Sequence, residues 1–468
     1  MVKSVQESPS EDNSLDNSID EEIGSFVHNI DALHVTLPAQ TMMASAIHMA
    51  CDKSFLSFVD ANCQTKPGTD DTYQVTPEHY LEFNRLRSRN RKAYAATVII
   101  PQTFLVALVS QYDSFLGGLL RCLYRSKPEM LRQSEKTLTY AQLFEFSDME
   151  EAKESILEKE IETLLRDSHH EQFAVMGRRF DIPLTTGLPI WPVFIELTQR
   201  RNLFVHCDGK VTAQYLKICD EYKVKYGARP SLGNRLDVDT KYFNQAHACV
   251  YEIGVKLAHV LWRKLIPEQR EQADLNLLML GYDLLVTGHY DLSATLGVFS
   301  LETIKTHSNA DVRRRMVINL AQAYRWGGHQ ARATRVIDKE DWSSCDILFR
   351  LSVAVLRDDF SKAASLMKLA AAASMIKKND YRDWPLFTEF RKSNGFATTY
   401  ESLYGQPLAT LEPDQTDSLF LSPTKSPSPK AVEEGSSSVT APAATKTPEA
   451  TNLATADPPV TADLPPAN

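Results

Sequence analysis

Apolar side chains recur every three or four positions along most of this chain, and the pattern breaks at short polar, Gly or Pro signals. Between Phe104 and Arg125, Leu105, Val109, Tyr112, Phe115, Leu119 and Cys122 share one face, which predicts a long helix buried on one side. Ahead of it, Thr76-Pro77-Glu78-His79 reads as a helix start, and a charged stretch runs from Arg85 to Lys92. Pro101, lacking a backbone N–H, is expected to end or kink that element. Lys127-Pro128 closes the long helix. A short element over Thr137–Phe146 follows, then helices over about Glu150–Leu165 (capped at Asp148), residues 166–180, Trp191–His206, Val211–Lys225 and Thr240–Leu265. Asp181–Pro189 and Ala228–Asp239 are loops, and Asp208-Gly209 is a turn.

From Gln269 to Tyr400 the pattern changes to helical segments of 12–18 residues. They are separated by Gly327-Gly328, Lys339–Asp341 and Asp358-Asp359, with small residues such as Ala331, Ala333, Ala363 and Ala370–Ala373 marking close helix contacts. This stretch resembles an array of tetratricopeptide-type hairpins, although its spacing is irregular. Trp384, Phe387 and Phe390 are core candidates. The expected organisation is all-α. It comprises a disordered acidic arm over residues 1–24, an extension of uncertain structure over 25–79, a helical bundle domain over 80–265, a helical hairpin module over 269–400 and a disordered Pro/Ser/Thr/Ala-rich tail over 412–468.

Composition narrows this picture. An apolar content of 43% and charged content of 24% fit a chain that mostly folds, and 468 residues suggest more than one core. A net charge of -9 argues against a uniformly basic nucleic-acid coat, but leaves room for a local basic groove between subunits. The seven cysteines form no C-x-x-C pair, which fits free thiols in a reducing cytoplasm. The acidic start lacks a signal-peptide core. Ala95–Val109, interrupted by Pro101 and Gln102, falls short of the roughly 20 residues that span a bilayer and reads as a buried helix. No membrane partner and no cofactor are expected. His169-His170-Glu171 lacks the H-E-x-x-H spacing of a metal site and reads as a solvated helix end, and Arg313-Arg314-Arg315 as a solvated helix start.

The strongest chemical signal is Arg200-Arg201-Asn202-Leu203-Phe204-Val205-His206, at the end of an apolar-faced helix and just before Cys207-Asp208-Gly209. Cleavage of RNA by its own 2′-hydroxyl needs a proton taken, a proton returned and a phosphate held while it gains charge. Histidine titrates near neutrality and suits the proton transfers. Arginine is permanently charged and grips a phosphate with fixed donors. Arg201 and His206 lie about 7.5 Å apart along a helix and about 140° apart around it, so one copy makes an incomplete site. A two-fold contact would set two such pairs facing each other.

The W-x2-F-x-E-x3-RRN-x3-H-x2-G pattern, followed by Tyr215, resembles the Arg-x4-6-His motif of the HEPN superfamily, in particular its larger bacterial domains. The likeness covers roughly residues 80–265. It implies a helical bundle, a face-to-face homodimer and a metal-independent endoribonuclease of toxin-like or antiviral defence. By that likeness Arg201 matches the motif arginine, Asn202 the polar residue beside it and His206 the motif histidine. Arg200 would be an accessory phosphate contact, and Glu196 would orient an arginine. Asp113 is a candidate to face the cleft and steady Arg201, against a plain surface position. No nucleotide-binding, hydrolase or paired-carboxylate motif offers a competing chemistry.

Two expectations follow. One is a dimeric endoribonuclease acting on RNA. The other is a non-catalytic helical scaffold or dimerisation protein that binds a partner protein through the C-terminal helices. In the second, His206 caps the helix carbonyls and the arginines are surface charges of its last turn.

Overall fold

The computed structural model describes residues 18–65, 73–133 and 137–408. The Pro/Ser/Thr/Ala-rich tail and residues 1–17 of the acidic arm lie outside the described residues. What is described is almost entirely helical, with one two-stranded hairpin.

Helix α1 spans Ile19–Asn62. It takes in the end of the expected disordered arm and about two thirds of the 25–79 segment that could not be assigned from sequence. Ser18 and Glu21 explain its start. The Glu21 N–H donates to Ser18 Oγ at 3.2 Å, and the Ser18 N–H donates to Glu21 Oε2 at 2.7 Å. Asp20, Glu21 and Glu22 then sit in the first turn, where acids favour the helix dipole. Ile19, Ile23, Phe26, Ile30 and Leu37 form the buried stripe. Pro38 lies within the helix without stopping it.

Strands β1 (Cys63–Thr65) and β2 (Tyr73–Val75) pair antiparallel, Cys63 against Val75, and turn the chain into α2, Tyr80–Ser126. Helix α2 continues past Pro101, so the expected end of the element does not fall there. Phe26 stacks on Phe115 at 4.2 Å, Asn29 Nδ2 donates to Gln111 at 3.1 Å, and Asn90 Nδ2 donates to Asp52 at 2.8 Å. Those pairs hold α1 and α2 antiparallel along most of their length, so the lost bond at a proline is outweighed by packing. Along Ala95–Val109, read from sequence as a buried helix, Pro101, Leu105, Leu108 and Val109 are buried, Ile99 and Thr103 are exposed and the rest are half-buried. Only 22% of its most apolar stretch is buried, although α2 is long and apolar enough to cross a membrane.

Helices α3 (Tyr140–Leu143), α4 (Met149–Arg166), α5 (His169–Phe180), α6 (Trp191–His206), α7 (Ala213–Glu221) and α8 (Thr240–Leu265) follow. The first half of α1 and the second half of α2 share one apolar core with α4, α5, α6 and α8. Gly254 of α8 marks how closely α1 approaches, because an added Cβ would overlap the Phe26 ring.

Three helical hairpins come next: α9 (Arg270–Val286) with α10 (Tyr290–Val298), α11 (Ala310–Trp326) with α12 (Gln330–Asp338), and α13 (Ile347–Leu356) with α14 (Phe360–Ala372). Their turns repeat one hydrogen-bond pattern. The N–H groups of His289, His329 and Asp359 donate to the carbonyls of Leu284, Tyr324 and Ala354 at 2.8, 2.7 and 3.0 Å. Gly288, Gly328 and Asp358 supply the positive φ that each turn needs, at 80°, 84° and 59°. Helices α15 (Asp380–Asp383) and α16 (Asn394–Tyr404) come last among the described residues and share a core with Phe387 and Phe390.

The core does not break at 265–269. It continues from α8 through α9 and α10 to Met316, and a second core runs from Val317 to Tyr400. Asp274, fully buried on α9, ties this join. It accepts from Arg263 Nη1 at 2.6 Å and from the Ser308 N–H at 2.5 Å, and it lies 3.5 Å from His307. Burial would raise its pKa, but those donors overcome the penalty and hold the carboxyl well below the usual range.

Candidate functional site

The motif segment forms the last two turns of α6, whose other face (Phe194, Ile195, Leu197) is buried in the core. The helix ends by a left-handed turn. Cys207 and Gly209 N–H groups both donate to the Leu203 carbonyl, at 2.8 and 3.0 Å, and Asp208 and Gly209 take φ of 52° and 73°. Gly209 is needed twice over, since an added Cβ would also sit 3.2 Å from the Phe204 ring.

Arg200 and Glu196 lie inside the protein. Arg200 Nε donates to Glu196 Oε1 at 2.7 Å and its Nη1 to the Asp237 carbonyl at 2.9 Å, and its guanidinium lies 3.9 Å over the Tyr242 ring. Glu196 also accepts from the hydroxyls of Tyr215 and Tyr242, both at 2.7 Å. Burial alone would lower the Arg200 pKa, but Tyr242 and Glu196 outweigh it and keep the guanidinium charged. Burial, then the Glu196 carboxylate, pushes the Tyr215 hydroxyl far above its ordinary value. This network joins α6, α7, the 222–239 loop and α8. An accessory phosphate contact from Arg200 would have to leave all of these partners.

Arg201 meets a second carboxylate. Its Nη2 donates to Asp113 Oδ2 at 2.6 Å and its Nη1 to Asn202 Oδ1 at 3.1 Å. The other Asp113 oxygen lies 2.8 Å from His169 Nε2. So Asp113, placed by α2, carries one base from α5 and one from α6. His169 is buried and packs edge-on to Phe194, rather than standing as a solvated helix end. The Arg201 Nε is buried without a protein partner. His206 is exposed on the final turn. The structure thus brings together Asp113, Arg201 and Asn202, encloses Arg200 with Glu196, and leaves His206 outside both groups. The pairing of His169, Tyr215 and Tyr242 with these carboxylates escapes a sequence reading, because the partners are 56, 19 and 46 residues away and no local pattern links them. Arg313 and Arg314 are paired with Glu340 and Asp311.

A groove lies elsewhere on the molecule. About 800 Å³ in volume, it runs between the start of α1, the end of α2 and α9. Leu275 and Met279 stand exposed along it, with Ile19 and Trp262 at its base. Among the described residues, no group of three His, Cys, Asp or Glu side chains is placed to hold a metal ion. No disulfide joins any of the seven cysteines, and burial pushes the Cys219 thiol up to about 11. Comparison with protein-family models, curated proteins and solved structures gives no match.

Proposed function

We propose that this protein is a non-catalytic helical scaffold that binds a partner protein through its C-terminal helices. The observation that carries the reading is that both arginines of the motif segment are held by internal carboxylates, Arg200 by Glu196 and Arg201 by Asp113. Side chains so engaged stitch helices together and are not free to clamp a phosphate. The groove beside α9 supplies what a partner helix requires, with exposed Leu275 and Met279 one turn apart in a channel lined by polar groups at its rim.

A photo-crosslinking residue at position 279 of the full chain tests this in its native cell. The scaffold reading expects one discrete adduct, absent when the same probe replaces exposed Lys217 and lost with Leu275→Asp. Adducts no more discrete at 279 than at 217 would sink it.

An endoribonuclease of HEPN type is the second reading. It is favoured by exposed His206 on the same two turns as Arg201, whose guanidinium is anchored by Asp113 and so held in a fixed pose. In that reading His206 moves the proton, Arg201 stabilises the phosphate, and a second subunit completes the site.

A further inference from the structure

Beyond residue 37 of α1 and before residue 100 of α2, the two helices leave the shared core and form an antiparallel arm. Among the described residues, the side-chain hydrogen bonds and ring contacts that residues 38–99 make between elements stay within that arm. The arm carries two seams on α1. The inner one, through Leu37, Ala44, Cys51 and Phe55, is buried against α2. The outer one runs at alternating spacings of four and three through Val35, Ala39, Met42, Ala46, Met49 and Leu56, with Lys53 in its one remaining place. Every one of these seven positions is exposed, Met42 at 67% and Met49 at 71%.

A four-three repeat is the signature of a helix that packs on another helix, because it keeps one seam facing a partner as both supercoil. The occupant is legible in the order of the residues. Counted outward from Ala46, the seam reads Met49 and Met42, then Lys53 and Ala39, then Leu56 and Val35. An antiparallel copy centred on Ala46 therefore sets Met42 against Met49, Val35 against Leu56, and the Lys53 stem beside small Ala39. The charges agree: between Asp31 and Asp52 there is no Asp, Glu, Lys or Arg, so two copies meet there without like-charge repulsion. The seam is about 32 Å long. With Met43 and Ile47 at its edge it offers on the order of 500 Å² per copy, the size of the smaller specific interfaces. A bilayer would demand no heptad register, and a lysine in the seam favours a helix partner, where a single such residue sets register.

We infer that the outer seam of α1 binds a second copy of this chain, antiparallel about Ala46, with α1 of one arm packed on α1 of the other. This contact is separate from the motif segment and from the α9 groove, so it stands or falls apart from the scaffold reading.

Sedimentation velocity of the full chain over a concentration series tests it. The wild type should sediment as a reversible dimer. Ala46→Glu sets two carboxylates on the symmetry axis and should weaken dimerisation by roughly tenfold or more. Both Ala46→Glu and Met42→Lys change exposed positions, so circular dichroism should show unchanged helicity in each. A wild type that is monomeric at every concentration overturns the inference, as does a dimer indifferent to both variants. So does a monomer that floats with vesicles of mixed neutral and anionic phospholipid in a density gradient, since that would make a bilayer the occupant.

Discussion

Replacing Glu196 by Gln is a sharp probe of how the motif segment is built. The Glu196 side chain is 9% exposed and that of Arg200 15%, so the pair is shielded from solvent. The carboxylate accepts three hydrogen bonds, from Arg200, Tyr215 and Tyr242. The amide keeps the shape but offers one acceptor oxygen, and it turns an NH2 toward groups that are themselves donors. At least one donor is left without a partner, and the Arg200 charge loses its counter-ion. Removing one member of a buried pair costs about 3–5 kcal/mol. For roughly 400 folded residues the unfolding entropy is near 0.8 kcal/mol per kelvin, so the melting temperature should fall by about 4–6 °C. Scanning calorimetry measures this. The double replacement Glu196→Leu with Arg200→Met should recover much of the loss, because an apolar pair carries no stranded charge. A Glu196→Gln melting temperature within about 1 °C of wild type would refute the claim that this network stitches α6 to α7 and α8.

Three further outcomes follow from the packing and the titrating groups. Gly254→Val should loosen α1 from α8, because its side chain enters the space of the Phe26 ring; a cost of about 1–3 kcal/mol and faster amide exchange in residues 19–37 are expected. His259 is fully buried, and burial followed by the nearby Arg263 lowers its pKa from 6.5 to about 3. The unfolded chain therefore takes up a proton that the folded one refuses, and stability should fall on acidification between pH 6.5 and 3. The slope is on the order of 1 kcal/mol per pH unit, and His259→Gln should flatten it in urea titrations at stepped pH. His34 on α1, lowered to about 4 by burial and then by His247 and His289, adds to the same limb between pH 6.5 and 4. Asp113→Asn removes the charge that holds Arg201 and His169 together, and should cost about 2–3 kcal/mol by the same calorimetry.

Much of the helical order was legible in the chain. The bounds of α6 and α8 follow from apolar periodicity, and the Gly327-Gly328 and Asp358-Asp359 breaks mark the second and third hairpin turns. Helix α1 escaped because it is apolar on two opposite seams, so no single-face pattern stands out, and because Pro38 and Gly24 interrupt it. Pro101 misled for a similar reason: local chemistry forbids what α1 packing along α2 restores. The motif segment was visible as residues but not as geometry. Arg200 and Arg201 look alike in sequence, yet Glu196 one turn away encloses the first, while Asp113, 88 residues distant, engages the second. Only the fold decides which carboxylate each one meets.

The most direct test of the central claim, that the Arg200–His206 segment serves structure rather than catalysis, is an RNA cleavage assay in chelator. Purified full-length wild type, Arg201→Ala and His206→Ala would be incubated with structured and unstructured RNA, and the product ends analysed. The scaffold account predicts no cleavage by the wild type beyond that of either variant. Wild-type cleavage leaving 2′,3′-cyclic phosphate ends, lost in both variants while their helicity persists, would contradict it.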